Sequence, residues 1–153
     1  MRYEAGKATV DMLCHVDNRT AKASHGELLN TIYIRMMSIA SDIDVFVRER
    51  AFSRFARETQ ALNKVVGIAD LVAWQKDQAV FCEIAPTTVK KLLTGSGRSE
   101  KEAVAGALER YLGFQIYKTD DESDAAAVGV AWLLQEKLLG ENRCRNTGEG
   151  EQK

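Results

Sequence analysis

The stretch KTDDESDAAAVGVAWLL, residues 118–134, crowds Asp120, Asp121, Glu122 and Asp124 into five positions and then runs straight into an alanine-rich apolar segment. The apolar part reads as the body of a closing helix, Asp121 to Leu139, and the acidic part as its first turn. Carboxylates this close repel one another, so their crowding needs a cause. One cause is local: Asp120 or Asp121 caps the helix while its neighbours favour the positive end of the helix dipole. The other is functional. Asp121 and Asp124 lie three apart, on one face, one turn deep. The small residues Ala125, Ala126 and Ala127 leave room beside Asp124 for a hard divalent cation and a phosphate.

Working back from this helix, FQIY (residues 114–117) reads as a brief strand. Before it, a helix opens on a capping box of Ser99 and Glu102 and runs to about Leu112. TGSGR (residues 94–98) is a loop, and Pro86, the chain's only proline, starts a short helix through Leu93. AVFCEI (79–84) and DVFVRE (44–49) are apolar strands. Between them a long helix from Thr59 to Trp74 sets Leu62, Val65, Val66, Ala69 and Val72 on one face. Ser24 and Glu27 form another capping box, ahead of a helix in which Leu28, Ile32, Met36 and Ile39 recur at helical spacing. The N-terminus reads as a hairpin turning at Ala5-Gly6-Lys7, with Val10, Met12, Cys14 and Val16 alternating on one strand face. Strands alternating with helices argue for one α/β domain, residues 1–139, whose central strands are buried on both faces. From Gly140 the tail GENRCRNTGEGEQK has little to bury and is expected to be mobile.

Bulk properties narrow the function. A length of 153 residues allows one domain with a real core. A net charge of −1 gives no global pull toward nucleic acid or membrane, so any such partner is met by a local patch. No apolar run approaches the roughly 18 residues of a bilayer span, and the N-terminus lacks the apolar core of a signal peptide. Cys14, Cys82 and Cys144 are widely spaced and odd in number, which points to the reducing cytosol; with only His15 and His25 beside them, zinc chemistry is disfavoured.

Candidate patches do exist. Glu49 ends an otherwise apolar strand, where a solvated glutamate is not expected; pairing with Arg48 or Arg50 is the plain alternative. RERAFSRFAR (48–57) interleaves Arg48, Arg50, Arg54 and Arg57 with Phe52 and Phe55. Basic groups for phosphates and aromatics for bases are the parts of a nucleic-acid site, though the run equally fits a solvated amphipathic segment with two core phenylalanines. In TTVKKLLTGSGRSEK (87–101), Gly95 and Gly97 let backbone approach a phosphate, with Lys90, Lys91, Arg98 and Lys101 around them. The full phosphate-loop pattern is lacking, and a turn between two helices needs no function.

In their order these features resemble the RuvC-type Holliday junction resolvases, and most of all the versions carried by mobile elements and phages. The match runs from about Asp42 to Leu134. It comprises FVRERAF with Glu49 and Phe52, the helix ALNKVVGIADLVAW, the segment APTTVKKLLTGSGRSEKEAV, and DESDAAAV as a D-x-x-D-A at the head of the closing helix. The resemblance implies a ribonuclease H-like mixed sheet flanked by helices. It further implies a two-metal nuclease that resolves four-way (Holliday) DNA junctions in recombination and repair, dimerising through the helix around Thr59–Trp74. Carried over, Glu49, Asp121 and Asp124 hold Mg²⁺, Phe52 stacks on opened bases, and Lys90 and Lys101 meet the scissile phosphates. Arg48, Arg50, Arg54, Lys91 and Arg98 complete the DNA-binding set. Mn²⁺ also accepts oxygen ligands. Bound cations would reverse the cost of crowding the acids.

The family's first strand, with an aspartate in an I-D-x-S or I-D-P-G stretch, has no counterpart here, and Asp11 would fall on a later strand. The chain therefore reads as N-terminally truncated, with weak metal binding and little or no cleavage expected. The competing expectations are a catalytically inactive dimer that recognises branched DNA by shape, a ribonuclease H-like nuclease acting on RNA or single strands, and a plain α/β interaction module.

Overall fold

Ala5 and Gly6 turn the chain with positive φ of 49° and 81°, the backbone a tight hairpin requires. In a computed structural model, which describes residues 1–13, 15–16, 24–50, 56–76, 81–113 and 117–140, they join β1 (Arg2–Glu4) to its antiparallel partner β2 (Lys7–Thr9). β2 stops at Thr9. The alternation of Val10, Met12 and Val16 predicts its extension, but they lie in no strand, and Met12 and Val16 are exposed, with no layer among the described residues covering them. Cys14 lies outside the described residues.

α1 (His25–Ile39) begins at the expected capping box. Ser24 Oγ accepts the Glu27 N–H at 3.3 Å, and Glu27 Oε2 accepts the Ser24 N–H at 2.7 Å. A 3-10 turn, Ala40–Asp42, leads into β3 (Phe46–Glu49). α2 (Ala56–Gln75) carries the chain over to β4 (Phe81–Ile84), which pairs parallel with β3, Glu49 opposite Ile84. Pro86 opens α3 (Pro86–Thr94), and Gly95 closes it at a φ of 85°, a left-handed cap that suits glycine. α4 (Lys101–Leu112) and α5 (Asp120–Gln135) follow.

Three local expectations need correction. The second capping box does not form: α4 is capped at Glu100 without a side-chain bond, because Ser99 Oγ lies 2.6 Å from Thr94 Oγ1 and donates to the Ser96 carbonyl at 3.0 Å. Thr119, not an aspartate, caps α5. α5 also ends at Gln135, after which Lys137 turns left-handed and folds Leu139 back into the core. Phe114 to Ile116 and the tail 141–153 lie outside the described residues, and Tyr117 is in no regular element.

The β3–β4 pair separates two apolar clusters. Ile84, Val89, Leu93, Val104, Leu108 and Val130 join β4, α3, α4 and α5 on one face. Phe46, Val72, Ala73 and Ala40 join β3, α2 and the 3-10 turn on the other. On α5, Ala126, Ala127 and Ala131 are buried in the first cluster, so the helix lies close to its neighbours. The alanines thus serve close packing rather than open space; Ala125 alone is exposed. The mixed sheet is present as two two-stranded pieces, antiparallel β1–β2 and parallel β3–β4, with no strand among the described residues joining them. Ala8 of β2 is instead buried in the first cluster, and Tyr3 Oη donates to the Leu138 carbonyl at 2.7 Å. Among the described residues no helix is long and apolar enough to cross a membrane, and Cys82 is a free thiol.

Candidate active site

Side chains alternate along a strand, and this decides where Glu49 faces. Val47 packs against the cluster that holds α5, whereas Phe46 belongs to the cluster that holds α2. Glu49 therefore shares the α5 face and Arg48 the α2 face. Arg48 donates from Nη1 to Asp70 of α2 at 2.8 Å and from Nε to Glu83 of β4 at 2.7 Å. Its guanidinium is committed to a network that ties β3, β4 and α2 together. Arg50 Nε stands 3.8 Å from Glu83 and stays mostly exposed.

Asp124 of α5 and Lys90 of α3 are the charges that act on Glu49. The Glu49 carboxyl is pushed above the usual glutamate range, first by lost hydration and then by the negative charge of Asp124, with Lys90 opposing both. Two acids distant in sequence thus converge, and the charge of Asp124 makes Glu49 harder to ionise. Lys101, the first residue of α4, pairs with Asp120 at 2.6 Å. That hydrogen bond and charge hold the Lys101 ammonium above its ordinary range, with Asp124 and Asp121 adding to the effect. The same partner holds Asp120 below the usual aspartate range. The acidic first turn of α5 therefore lies between two lysines, Lys90 on the Glu49 side and Lys101 on the Asp120 side.

The other expected residues are placed less centrally. The charge of Asp121 is felt at Lys101, and among the described residues no three acids, cysteines or histidines gather closely enough to hold a metal. Lys91 and Arg98 are exposed around the loop that follows α3. Both glycines of that loop serve the fold: Gly95 takes the left-handed cap, and a Cβ on Gly97 would come 2.9 Å from the Thr87 carbonyl oxygen. Phe52, Arg54 and Phe55 lie outside the described residues, as does the Arg57 side chain. Asp11 sits 3.6 Å from Arg2 on the surface and takes no part. Beside Glu49 a cleft of about 330 Å³ opens between α2 and the start of α3, walled by Leu62, Val65, Val66 and Pro86, with Arg48 and Arg50 at its edge.

The family model for crossover junction endodeoxyribonuclease RuvC matches residues 12–132. The chain belongs to the RuvC family. A RuvC of Ehrlichia ruminantium is 31% identical over 121 residues, 77% of this chain and 75% of that protein. One of Caldicellulosiruptor saccharolyticus is 30% identical over 108 residues, 67% of this chain and 64% of that protein. In structure the chain is similar to T. thermophilus RuvC in complex with Holliday junction substrate, with a TM-score of 0.75 and 19% identity, over 90% of this chain and 85% of the other. The ribonuclease H-like expectation for the fold therefore holds.

Two residues of this RuvC-family chain escaped sequence reasoning, Glu122 and its partner His15. Glu122 is 4% exposed, the one buried charged side chain among the described residues. Its Oε2 accepts the Lys118 N–H at 2.7 Å, its Oε1 meets His15 Nδ1 at 3.0 Å, and its own N–H donates to Thr119 Oγ1 at 3.3 Å. A carboxylate only accepts, so Nδ1 carries the hydrogen. The bond from His15, and then that from Lys118, hold the Glu122 carboxyl below the usual glutamate range. The signal for Glu122 was present: Thr119-x-x-Glu122 is the capping-box pattern. His15 had none.

Proposed function

We propose that this chain is a divalent-metal-dependent endonuclease that cuts four-way DNA junctions. The observation that carries the reading is the convergence of Glu49 and Asp124, with Lys90 beside them and Lys101 across the same helix turn. Two repelling oxygen donors suit a hard cation, because Mg²⁺ is commonly bound by one or two carboxylates with water and phosphate completing its shell. Glu49 and Asp124 would hold the metal, with Asp121 at the flank. A bound Mg²⁺ or Mn²⁺ would supply an activated water and stabilise the leaving oxygen. A bound positive charge would offset the repulsion that Asp124 exerts on the Glu49 carboxylate. Lys90 already offers part of that charge, and Lys101, released from Asp120, meets a phosphate. The apolar cleft beside Glu49, with Arg50 at its edge, admits a base unstacked at the junction. With no counterpart to the family's first-strand aspartate beside Glu49 and Asp124, metal binding would be weak and turnover slow.

The test is a substrate panel of four-way junction, linear duplex, RNA–DNA hybrid and single strand, each with Mg²⁺, Mn²⁺ or EDTA. Metal-dependent cuts confined to the junction are expected. Equal cutting of hybrid or single strand rejects the junction assignment. Tight junction binding with no cutting in either metal favours the inactive, branch-binding dimer.

The dimer would form through α2, whose Leu71 and Trp74 stay 41% and 76% exposed. Trp74→Ser is expected to shift the protein toward monomer in sedimentation velocity, while stability changes by no more than about 0.5 kcal/mol, as for other exposed positions. An unchanged mass at micromolar concentration removes α2 from the interface.

A further inference from the structure

The N-terminal segment is strapped along α5 and pinned near both of its ends. Past the C-terminal end of the helix, Tyr3 Oη donates to the Leu138 carbonyl. In between, Ala8 is buried in the shared core. At the N-terminal end, His15 donates to Glu122, and the His15 carbonyl accepts from Arg35 Nη1 of α1 at 3.4 Å. His15 is thus the point at which α1, the strap and α5 are joined.

The bond to His15 exceeds what helix capping requires. A capping glutamate is satisfied by backbone N–H groups and ordinarily stays in water. Glu122 is buried, which costs free energy unless its oxygens are bonded, and both oxygens find partners outside the helix. Asp121 precedes it directly, and two residues after it comes Asp124, the acid that acts on Glu49. Residues on a helix turn together, about 100° apart about its axis. Holding Glu122 therefore holds the others.

We infer that His15 and Glu122 are positioning residues for the acidic site: their clasp sets the rotation and depth of the first turn of α5, and so where Asp124 stands against Glu49. Such outer partners orient ligands without touching the metal. The inference rests on the metal-site reading above. It assigns a role in that site to a histidine with no place in the motifs that marked it.

The experiment is Mn²⁺ binding to the full chain without DNA, read from the electron paramagnetic resonance of free Mn²⁺, for wild type, His15→Ala, His15→Gln and Glu122→Gln. Thermal melting runs alongside, and binding is compared where every variant is folded. His15→Ala is expected to weaken binding about tenfold, the lower end of the range for outer-shell partners. His15→Gln, whose amide still donates to Glu122, recovers most of it. If wild type binds Mn²⁺ and the three variants bind equally well, or if the Gln and Ala variants at position 15 lose affinity alike, the positioning role is overturned while the metal reading stands. If wild type shows no binding at millimolar Mn²⁺, the metal reading fails and takes the positioning role with it.

Discussion

Asp124→Asn lowers metal-dependent junction cleavage by about a thousandfold, the rate equivalent of roughly 4 kcal/mol of lost charge stabilisation, and it also raises the melting temperature at neutral pH. The two effects share an origin. In the folded chain the Glu49 carboxyl titrates above its ordinary value, partly because Asp124 is near. A raised carboxylate pKa means that the folded state holds the proton more tightly than the unfolded one. Stability is therefore lost as pH rises through the interval between the two values, and at neutral pH the whole cost is present. Neutralising Asp124 removes its share of that cost and leaves the larger share, due to lost hydration. The Lys101 ammonium loses a little support, but its main partner is Asp120 and the site is exposed, so this opposing effect is small. An amide at position 124 cannot replace the anionic donor, so cleavage falls as stability rises. Cleavage at the wild-type rate would end the assignment of Asp124 to the metal; a lower melting temperature would show that its charge does not strain Glu49.

Why these acids were legible, and others not, follows from how local each signal is. The capping box at Ser24, the long α2 and the Pro86 start all depend on neighbours within a turn or two, and all appear as the residues indicate. Val10, Met12 and Val16 carry the alternation of a strand but pair with no strand among the described residues, a fact written nowhere in their own spacing. Ser99 had the right spacing for a cap and lost its hydroxyl to Thr94, a neighbour that the pattern ignores. At the proposed site, the charge of Asp124 reaches both Glu49 and Lys101, and that of Lys90 reaches Glu49. Arg48 looked like a ligand for phosphate, yet Asp70 and Glu83 claim it. That pairing depends on the register of β3 against β4 and on the placement of α2, both of which are tertiary. The same holds for His15, whose partner Glu122 is far away in the chain and visible only once the strap lies along α5.

Leu108→Ala is expected to destabilise the fold by about 3 kcal/mol, within the range for truncating a buried leucine, and to lower the melting temperature by roughly 10 °C for a domain of this size. Leu108 is 1% exposed and packs where α4 meets α3 and α5. Truncation there removes transfer free energy and leaves a cavity, which alanine-lined α5 has few long side chains to fill. α4 carries Lys101 and α5 carries Asp124, so the same cluster that stabilises the domain also sets the spacing between the basic and acidic sides of the site. Urea unfolding measures the first effect, with Leu71→Ala as the comparison: at 41% exposed, Leu71 should cost well under about 1 kcal/mol. Equal costs for the two would mean that Leu108 is not at the heart of the packing. A large cost for Leu108 with Mn²⁺ affinity preserved at low temperature would mean that the domain core and the acidic site are separable. Matched losses are the expected outcome, because no other cluster among the described residues holds α4 and α5 together.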